Sequence, residues 1–195
     1  MTSERFSPET GREARAFSLI ELLVVMGIIA MMAVVAISGA GVVTAHRLTT
    51  AAAEVKAALE TARQRAMASG APAEVFFYRL EAGEGDFDSF RVISSIGSQS
   101  KEGKLQRLPD GLAIRRSATA SPLLEAVPTV TDSRGKTARV VRFLGDGSLE
   151  GLRTGPPLSL SIAEARAPAV ANDLPANFAV LGVDPLLGTV ALYRP

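Results

Sequence analysis

Residues 15–41 read RAFSLIELLVVMGIIAMMAVVAISGAG, and this stretch decides the fold. After Arg15, Glu21 is the only ionisable side chain before His46, so residues 22–45 form an uncharged and mostly apolar run. About 20 such residues cross a bilayer core of about 30 Å as a helix. A secretory signal peptide has a shorter apolar core, of about 7–15 residues, and its small-residue cleavage site follows that core. The sequence therefore predicts a transmembrane helix.

Glu21 is an acid close to the start of this apolar run. A carboxylate costs about 2.5–3.5 kcal/mol at the centre of a bilayer and less near its edge, so an acid inside a membrane suggests a function. Glu21 also falls in the first helical turn, where the helix dipole favours negative charge and a side chain can reach the interface. The position of Glu21 alone leaves both interpretations open.

The string AFSLIE at residues 16–21, followed by the apolar run, resembles the prepilin motif of type IV pilins and of the pseudopilins of type II secretion. The resemblance implies that a prepilin peptidase cuts between Ala16 and Phe17 and methylates the new amine of Phe17. It also implies that Glu21 pairs with the methylated amine of a neighbouring subunit. The family usually has Gly before the cut, whereas this chain has Ala16, which is also small.

The implied pairing has a physical basis. An α-amine and a carboxylate are both unfavourable alone in a bilayer or a filament core, and removing one partner of a buried pair costs about 3–5 kcal/mol. A subunit that enters with Glu21 unpaired is driven to dock beside a free amine. Because Phe17 has no free amine until the leader is removed, cleavage would license assembly.

The length of 195 residues permits one domain and an anchor. We expect a cytoplasmic leader at 1–16, a transmembrane half of a long helix at 17–45, an amphipathic half at 46–70 and a β-rich globular domain at 71–195. Basic residues lie on both sides of the apolar run, so the positive-inside rule does not decide the orientation. The resemblance implies a single-pass protein of the inner membrane with its globular domain in the periplasm.

Composition restricts the function further. The net charge of +1 argues against a general nucleic-acid-binding protein, which is usually strongly basic. The chain has no cysteine, which excludes disulfides, thiolate metal sites and a cysteine nucleophile. No Gly-x-Ser-x-Gly nucleophile motif and no phosphate-binding glycine loop is present. We therefore predict no enzymatic activity and no cofactor.

The segment after the apolar run predicts the second half of the same helix. Apolar residues recur there at alternating steps of four and three, which is the spacing of one helix face. Gly70 and Pro72 provide a C-cap and a stop, so we predict one helix from Phe17 to Ser69. The stripe could form a coiled-coil seam or pack on a sheet, and we favour the sheet because strand-like segments follow. Its residues are Leu48, Ala52, Val55, Leu59, Ala62 and Ala66.

The remainder of the chain predicts strands joined by turns. The residues EAGEGDFD indicate a hairpin between the first two strands, and the turn from Asp184 to Gly188 indicates another at the C-terminal end. Residues 117–138 are expected to form an irregular connection. The predicted strands are Val75 to Leu80, Phe90 to Ile96, Leu112 to Arg116, Arg139 to Leu144, Leu158 to Ala163, Phe178 to Val183 and Thr189 to Tyr193.

These elements predict an α+β fold in which a long N-terminal helix packs on small antiparallel β-sheets. That arrangement resembles the minor pseudopilin H family and its type IV pilus relatives. The resemblance includes FLGDG at residues 143–147 and the pattern from Val183-Asp184-Pro185 to Gly188-Thr189-Val190.

Three further groups of side chains are weaker candidates for a site. The single histidine, His46, has no cysteine or second histidine with which to bind zinc, and we interpret it as an interfacial polar residue. The acidic loop of Glu84, Asp86 and Asp88 could bind a hard cation through its oxygens, but its spacing favours a solvated turn. The basic residues could contact phosphate, or they could be dispersed surface charge offset by nearby acids, which we favour. They are Arg115, Arg116, Arg134, Lys136, Arg139 and Arg142.

The sequence thus predicts a minor pilin or pseudopilin, a structural subunit of a type IV pilus or a type II secretion pseudopilus. The implied partners are prepilin peptidase, other pilins or pseudopilins, an inner-membrane assembly platform and membrane lipid. Two alternatives stay open. One is a DNA-binding minor pilin for DNA uptake, and the other is an uncleaved single-pass membrane protein with a periplasmic binding domain.

Overall fold

The computed structural model of this chain describes residues 19–79, 85–96, 99–132, 134–152, 157–166 and 174–194. At residues 33–44 it describes the backbone alone. The predicted leader, 1–16, and the cleavage site, Ala16 and Phe17, lie outside the described residues. The chain divides into two units, Met1–Val42 and Val43–Pro195.

Helix α1 comprises Leu19–Ser69, so the predicted helix is confirmed within the described residues. It ends where expected, because Gly70 takes the left-handed conformation with φ of 64° and Pro72 follows it. In the first unit, all side chains from residue 19 to residue 32 are exposed to solvent. Within the part of the chain that the structure describes, no helix has the combined length and apolar character of a membrane span.

The second half of α1 packs on β-sheets. All six residues of the predicted stripe are buried, and Ala51 and Ala58 are buried beside them. They share one hydrophobic cluster with strand residues such as Phe77, Phe143 and Leu181. The stripe therefore packs on β-sheets, as predicted. Its burial requires no coiled-coil partner.

The first sheet is antiparallel and has the strand order β3-β2-β1-β7-β6, with β4 paired to β2. The predicted first hairpin is confirmed, since Val75 pairs with Val92 and Phe77 with Phe90. Strand β7 joins the other edge of β1, where Val75 faces Val141. The strands are β1 Ala73–Tyr78, β2 Ser89–Ile96, β3 Gln99–Glu102, β4 Gln106–Arg107, β6 Thr129–Thr131 and β7 Thr137–Phe143.

The second sheet is also antiparallel, in the order β10-β9-β8-β5. The C-terminal hairpin is confirmed, because Val190 pairs with Val183 and Leu192 with Leu181. The strands are β5 Leu112–Ile114, β8 Leu158–Glu164, β9 Phe178–Val183 and β10 Val190–Tyr193. An isolated bridge between Phe87 and Ile114 connects the two sheets. The predicted α+β class with a helix packed on antiparallel sheets is thus confirmed.

The prediction of an irregular connection at 117–138 was wrong. The segment contains the short helix α2, Pro122–Ala126, and strand β6, and β7 begins at Thr137. Pro122 suits the first helical turn, where its missing N–H is not needed. The Oγ of Ser121 accepts a hydrogen bond from the Ser161 amide at 3.0 Å, which ties α2 to β8. Strand β6 has three residues and pairs with β7, and such a short segment shows no alternating pattern from which to predict a strand.

Strands β3 and β4 were also missed, because their residues, QSKE and QR, are polar and lack apolar alternation. Both strands form by pairing with β2. Strand β1 begins at Ala73, two residues before the predicted start. The predicted end of that strand, Leu80, lies outside the described residues.

Candidate functional site

The N-terminal segment carries the principal predicted site. Glu21 lies in the first turn of α1, and its side chain is exposed. Its neighbours Leu19, Ile20 and Leu22 are also exposed, at 81%, 70% and 61%. Large apolar side chains at this level of exposure indicate a surface that another molecule or a lipid phase covers. The other predicted site residues, Ala16 and Phe17, lie outside the described residues.

The described residues do not support a metal site at either predicted group, His46 or the acidic loop. His46 is exposed on α1. Among the described residues, no group of three or more histidines, cysteines, aspartates or glutamates could hold a metal ion. Of the predicted acidic loop, Glu84 lies outside the described residues, and Asp86 and Asp88 are described.

Asp86 has a structural role that the sequence interpretation missed. Its Oδ2 lies 3.1 Å from a guanidinium nitrogen of Arg115, and its Oδ1 accepts a hydrogen bond of 2.7 Å from the Arg116 amide. Both members of the ion pair are mostly buried. The interpretation as a solvated turn was therefore wrong for Asp86, because this carboxylate ties the segment after residue 85 to the end of β5.

Five of the six predicted basic residues pair with acids. Arg139 lies 3.0 Å from the Glu125 carboxylate and donates a second hydrogen bond, of 2.8 Å, to the Val127 carbonyl. Arg116 approaches the same Glu125 at 4.0 Å. Because Glu125 belongs to α2, the pair with Arg139 ties the short helix to β7 of the first sheet, and Arg116 connects it to the segment after β5.

Arg142 and Arg134 show the same pattern at the surface. Arg142 lies between Glu74 and Glu150 and donates a hydrogen bond of 2.8 Å to the latter. Arg134 lies 3.2 Å from Glu102. The favoured interpretation, surface charge offset by nearby acids, therefore describes five of the six residues: Arg115, Arg116, Arg134, Arg139 and Arg142.

The β6–β7 turn adds a polar cluster that the sequence did not indicate. Burial, followed by the nearby Asp132 carboxylate, raises the pKa of Tyr78 to about 12. For Asp132 itself, burial raises the pKa, but hydrogen bonds from the amides of Lys136 and Arg134 outweigh burial and lower the pKa on balance. The carboxylate of Asp132 is therefore ionised at neutral pH and fixes the turn.

The two glycine-containing loops that carried the family resemblance lie together at the C-terminal end of α1. The Leu149 amide donates a hydrogen bond of 2.9 Å to the Pro185 carbonyl. A Cβ atom on Gly188 would lie 2.0 Å from the Gly147 carbonyl oxygen, and both glycines have positive φ, at 62° and 85°. Only glycine permits that approach.

Arg63 connects these loops to the helix, and the sequence analysis missed it. Its Nε donates a hydrogen bond of 2.7 Å to the Leu187 carbonyl. Asp184 caps the same turn by accepting hydrogen bonds from the amides of Leu186 and Leu187, at 2.8 and 2.9 Å. The glycines in the sequence indicated tight loops. No local pattern predicted that Arg63 contacts Leu187, which lies 124 residues further along the chain.

Comparisons with known proteins agree with the interpretation of the N-terminal segment. Residues 11–37 match the family described as the prokaryotic N-terminal methylation motif. No curated protein matches the chain.

Similar solved structures include the type IV minor pilin FimU of Pseudomonas aeruginosa in two crystal forms. The first has a TM-score of 0.47 at 14% identity, covering 77% of this chain and 89% of the FimU chain. The second has a TM-score of 0.47 at 17% identity, covering 75% and 93%. Both scores are below 0.5, so these structures do not establish the family of this chain. What the comparisons establish is that residues 11–37 carry the prokaryotic N-terminal methylation motif.

Proposed function

We propose that the chain is a structural subunit, a minor pilin or pseudopilin, of a type IV pilus or of a type II secretion pseudopilus. The observation that carries the proposal is the methylation motif at residues 11–37, which overlaps the exposed apolar start of α1. Exposed apolar surface of this extent marks a membrane or protein contact. The proposed role is assembly, with no catalytic step and no cofactor.

The proposed maturation uses residues of the N-terminal segment. Prepilin peptidase cuts between Ala16 and Phe17, removes the leader 1–16 and methylates the amine of Phe17. The apolar helix, residues 17–45, holds the chain in the inner membrane, and the domain from residue 71 onward lies in the periplasm. An assembly platform in the inner membrane then transfers the subunit into the filament.

The proposed assembly contact is an ion pair between subunits. Glu21 of one subunit pairs with the methylated amine of Phe17 on a neighbour. Both charges are removed from water in the filament, so each stabilises the other, and an unpaired charge opposes incorporation. The exposed position of Glu21 in the first turn of α1 leaves its carboxylate accessible to such a partner.

The alternative of a DNA-binding pilin is less favoured by the described contacts. Arg115 and Arg116 were the residues suggested for phosphate binding, and both engage Asp86, Arg115 through its guanidinium and Arg116 through its amide. An arginine that is already paired gains less from a phosphate, because it must first give up its carboxylate.

The N-terminus of the mature protein tests the proposed processing. We expect a chain extracted from membranes that contain an active prepilin peptidase to begin at Phe17 and to carry a methyl group there, as measured by intact-mass spectrometry. A chain that keeps residues 1–16 under these conditions supports the alternative of an uncleaved single-pass protein.

Replacement of Glu21 tests the proposed assembly contact. Glu21→Ala should insert into the membrane normally but enter filaments about a hundredfold less, since it leaves the neighbouring amine unpaired. Glu54→Ala is the matched control, because Glu54 is also an exposed glutamate of α1 and lies outside the apolar run. Sheared filaments quantified by immunoblotting provide the measurement, and equal incorporation of both variants contradicts the ion-pair mechanism.

A further inference from the structure

An open groove of about 1050 Å³ lies where the ends of the two sheets meet, and the sequence analysis did not anticipate it. The loop after β1, strand β4, the start of β5 and the turn after β8 contribute to its walls. Five arginines and three carboxylates provide its charged lining. The arginines are Arg79, Arg107, Arg115, Arg116 and Arg166, and the acids are Asp86, Asp88 and Glu164.

The groove has a fixed base. Arg115 binds Asp86 and also donates a hydrogen bond of 3.2 Å to the Ala165 carbonyl, so its guanidinium is held from both sides. Beneath it, Phe87 and Ile114 exchange backbone hydrogen bonds of 3.0 and 2.8 Å across the junction of the sheets. These contacts are made within the chain, so they hold the base of the groove in one arrangement.

Positive charge accumulates along the groove. The guanidinium of Arg79 lies over the buried Phe87 ring, 5.1 Å from its centroid. Burial, followed by the charges of Arg116 and Arg139, lowers the pKa of Arg79. Arg107 and Arg166 are exposed at the rim, and neither pairs with a carboxylate in the part of the chain that the structure describes. An anion placed here would relieve the repulsion among these cations.

We propose that this groove binds a carboxylate-rich segment of a partner polypeptide. Arginine presents planar forks of N–H donors that match carboxylate geometry. The groove is wide and polar, unlike the mostly apolar and enclosed pockets that hold small molecules. An extended segment can place separate carboxylates against Arg107 and Arg166.

The carboxylates in the same groove disfavour the binding of a nucleic acid. A continuous polyanion would meet Asp86, Asp88 and Glu164 in the groove, which repel its phosphates. Stacking with bases requires exposed aromatic rings, and Phe87, the ring beneath Arg79, is only 2% exposed. A polypeptide can instead leave uncharged residues opposite the three carboxylates. This inference goes beyond the proposed function, because it involves none of the N-terminal residues.

Binding of an acidic peptide to the full chain in a neutral detergent tests the inference. The probe is a fluorescently labelled peptide of alternating Glu and Ser, with a Gln and Ser peptide as the uncharged comparison, measured by fluorescence anisotropy at low salt. We expect the Glu peptide alone to bind. Replacing Arg107→Gln together with Arg166→Gln should weaken this binding about tenfold, the sum expected for two partly exposed ion pairs.

The matched control carries the same change of charge outside the groove. Arg65→Gln with Lys104→Gln removes two exposed cations that line a different depression, between α1 and the first sheet. This variant should bind the Glu peptide like the original chain, and both variants should keep its melting temperature. The inference is overturned if the Glu peptide does not bind, if both double variants weaken binding equally, or if a single-stranded oligonucleotide binds more tightly than the peptide.

Discussion

The two halves of helix α1 differ in what surrounds them. Between Leu19 and Met32 every side chain is exposed, whereas between Leu48 and Ala66 one face is buried against two sheets. Both halves are helical and contain few helix breakers. The comparison teaches that, among the described side chains of α1, only those of the second half contribute to the core of this chain.

This difference explains why the two halves have different compositions. The second half alternates small apolar residues with charged ones, because one face meets the sheets and the other meets water. The first half is apolar on all sides, which suits a helix that is surrounded on all sides. The stability of the second half is therefore coupled to the sheets that bury its stripe.

The largest effect should come from equal truncations in the two halves. Leu59→Ala removes a side chain that is 0% exposed and should lower the free energy of unfolding by about 3 kcal/mol, through lost burial and a cavity. Leu23→Ala, at a residue that is 65% exposed, should leave it unchanged. Urea unfolding of the full chain in detergent measures the free energy of unfolding of both variants. Similar losses for the two variants would contradict the difference between the two halves of the helix.

A smaller effect should come from the loops that hold the end of the second half. Gly188→Ala should destabilise the chain by about 2 kcal/mol, because the new Cβ meets the Gly147 carbonyl and a non-glycine residue is strained at positive φ. Gly151→Ala is the control. Gly151 has φ of 74° but nothing within 4 Å of a Cβ, so it should cost only about 1 kcal/mol. Equal losses of unfolding free energy for the two variants would show that the close approach of Gly188 to Gly147 does not affect stability.

Removing the contact between Arg63 and the C-terminal loop should have a still smaller effect. Arg63→Ala deletes the hydrogen bond to the Leu187 carbonyl and should cost about 1 kcal/mol. Arg65→Ala should cost less, because Arg65 is exposed on a different side of the same helix turn. Thermal unfolding followed by circular dichroism provides the measurement, and a larger shift for Arg65→Ala would contradict the role of Arg63.

The smallest effect should come from the β6–β7 turn, which joins two strands of the first sheet. The folded state lowers the pKa of Asp132, so ionised Asp132 stabilises the chain above the usual pKa of 3.8. That contribution is lost as the pH falls through the lower pKa of the folded state. Asp132→Asn should therefore remove stability near neutral pH, by less than about 1 kcal/mol because solvent screens the charge, and the difference should vanish in acid. Melting temperatures against pH measure it, and a difference that grows towards low pH would have the wrong sign.

Local signals predicted most of the fold. The spacing of apolar residues gave the helix through Ser69 and its buried stripe, and Gly70 gave the end of the helix. Alternation and turn residues gave the two hairpins. The prediction failed for the short strands β3, β4 and β6, because two to four residues are too few to show an alternating apolar pattern.

The candidate sites divide in the same way. The motif from Ala16 to Glu21 was found because every part of it is contiguous in sequence. The groove was not predicted from the sequence. Three of the arginines that line it, Arg79, Arg107 and Arg166, come from three separated segments. The pairing of Arg115 with Asp86 likewise joins residues 29 positions apart, so no spacing rule predicted it.

The sequence by itself determined the helix, its change from an all-apolar to an amphipathic half, the class of the fold and the maturation motif. Each of these depends on neighbours within a few turns of the chain, and periodicity and capping register such neighbours directly. Only the tertiary structure decided the order of the strands, the meeting of the two glycine loops at Arg63 and the arginine-lined groove. Those features arise from contacts between distant segments, which form only when burial of the shared core brings the segments together.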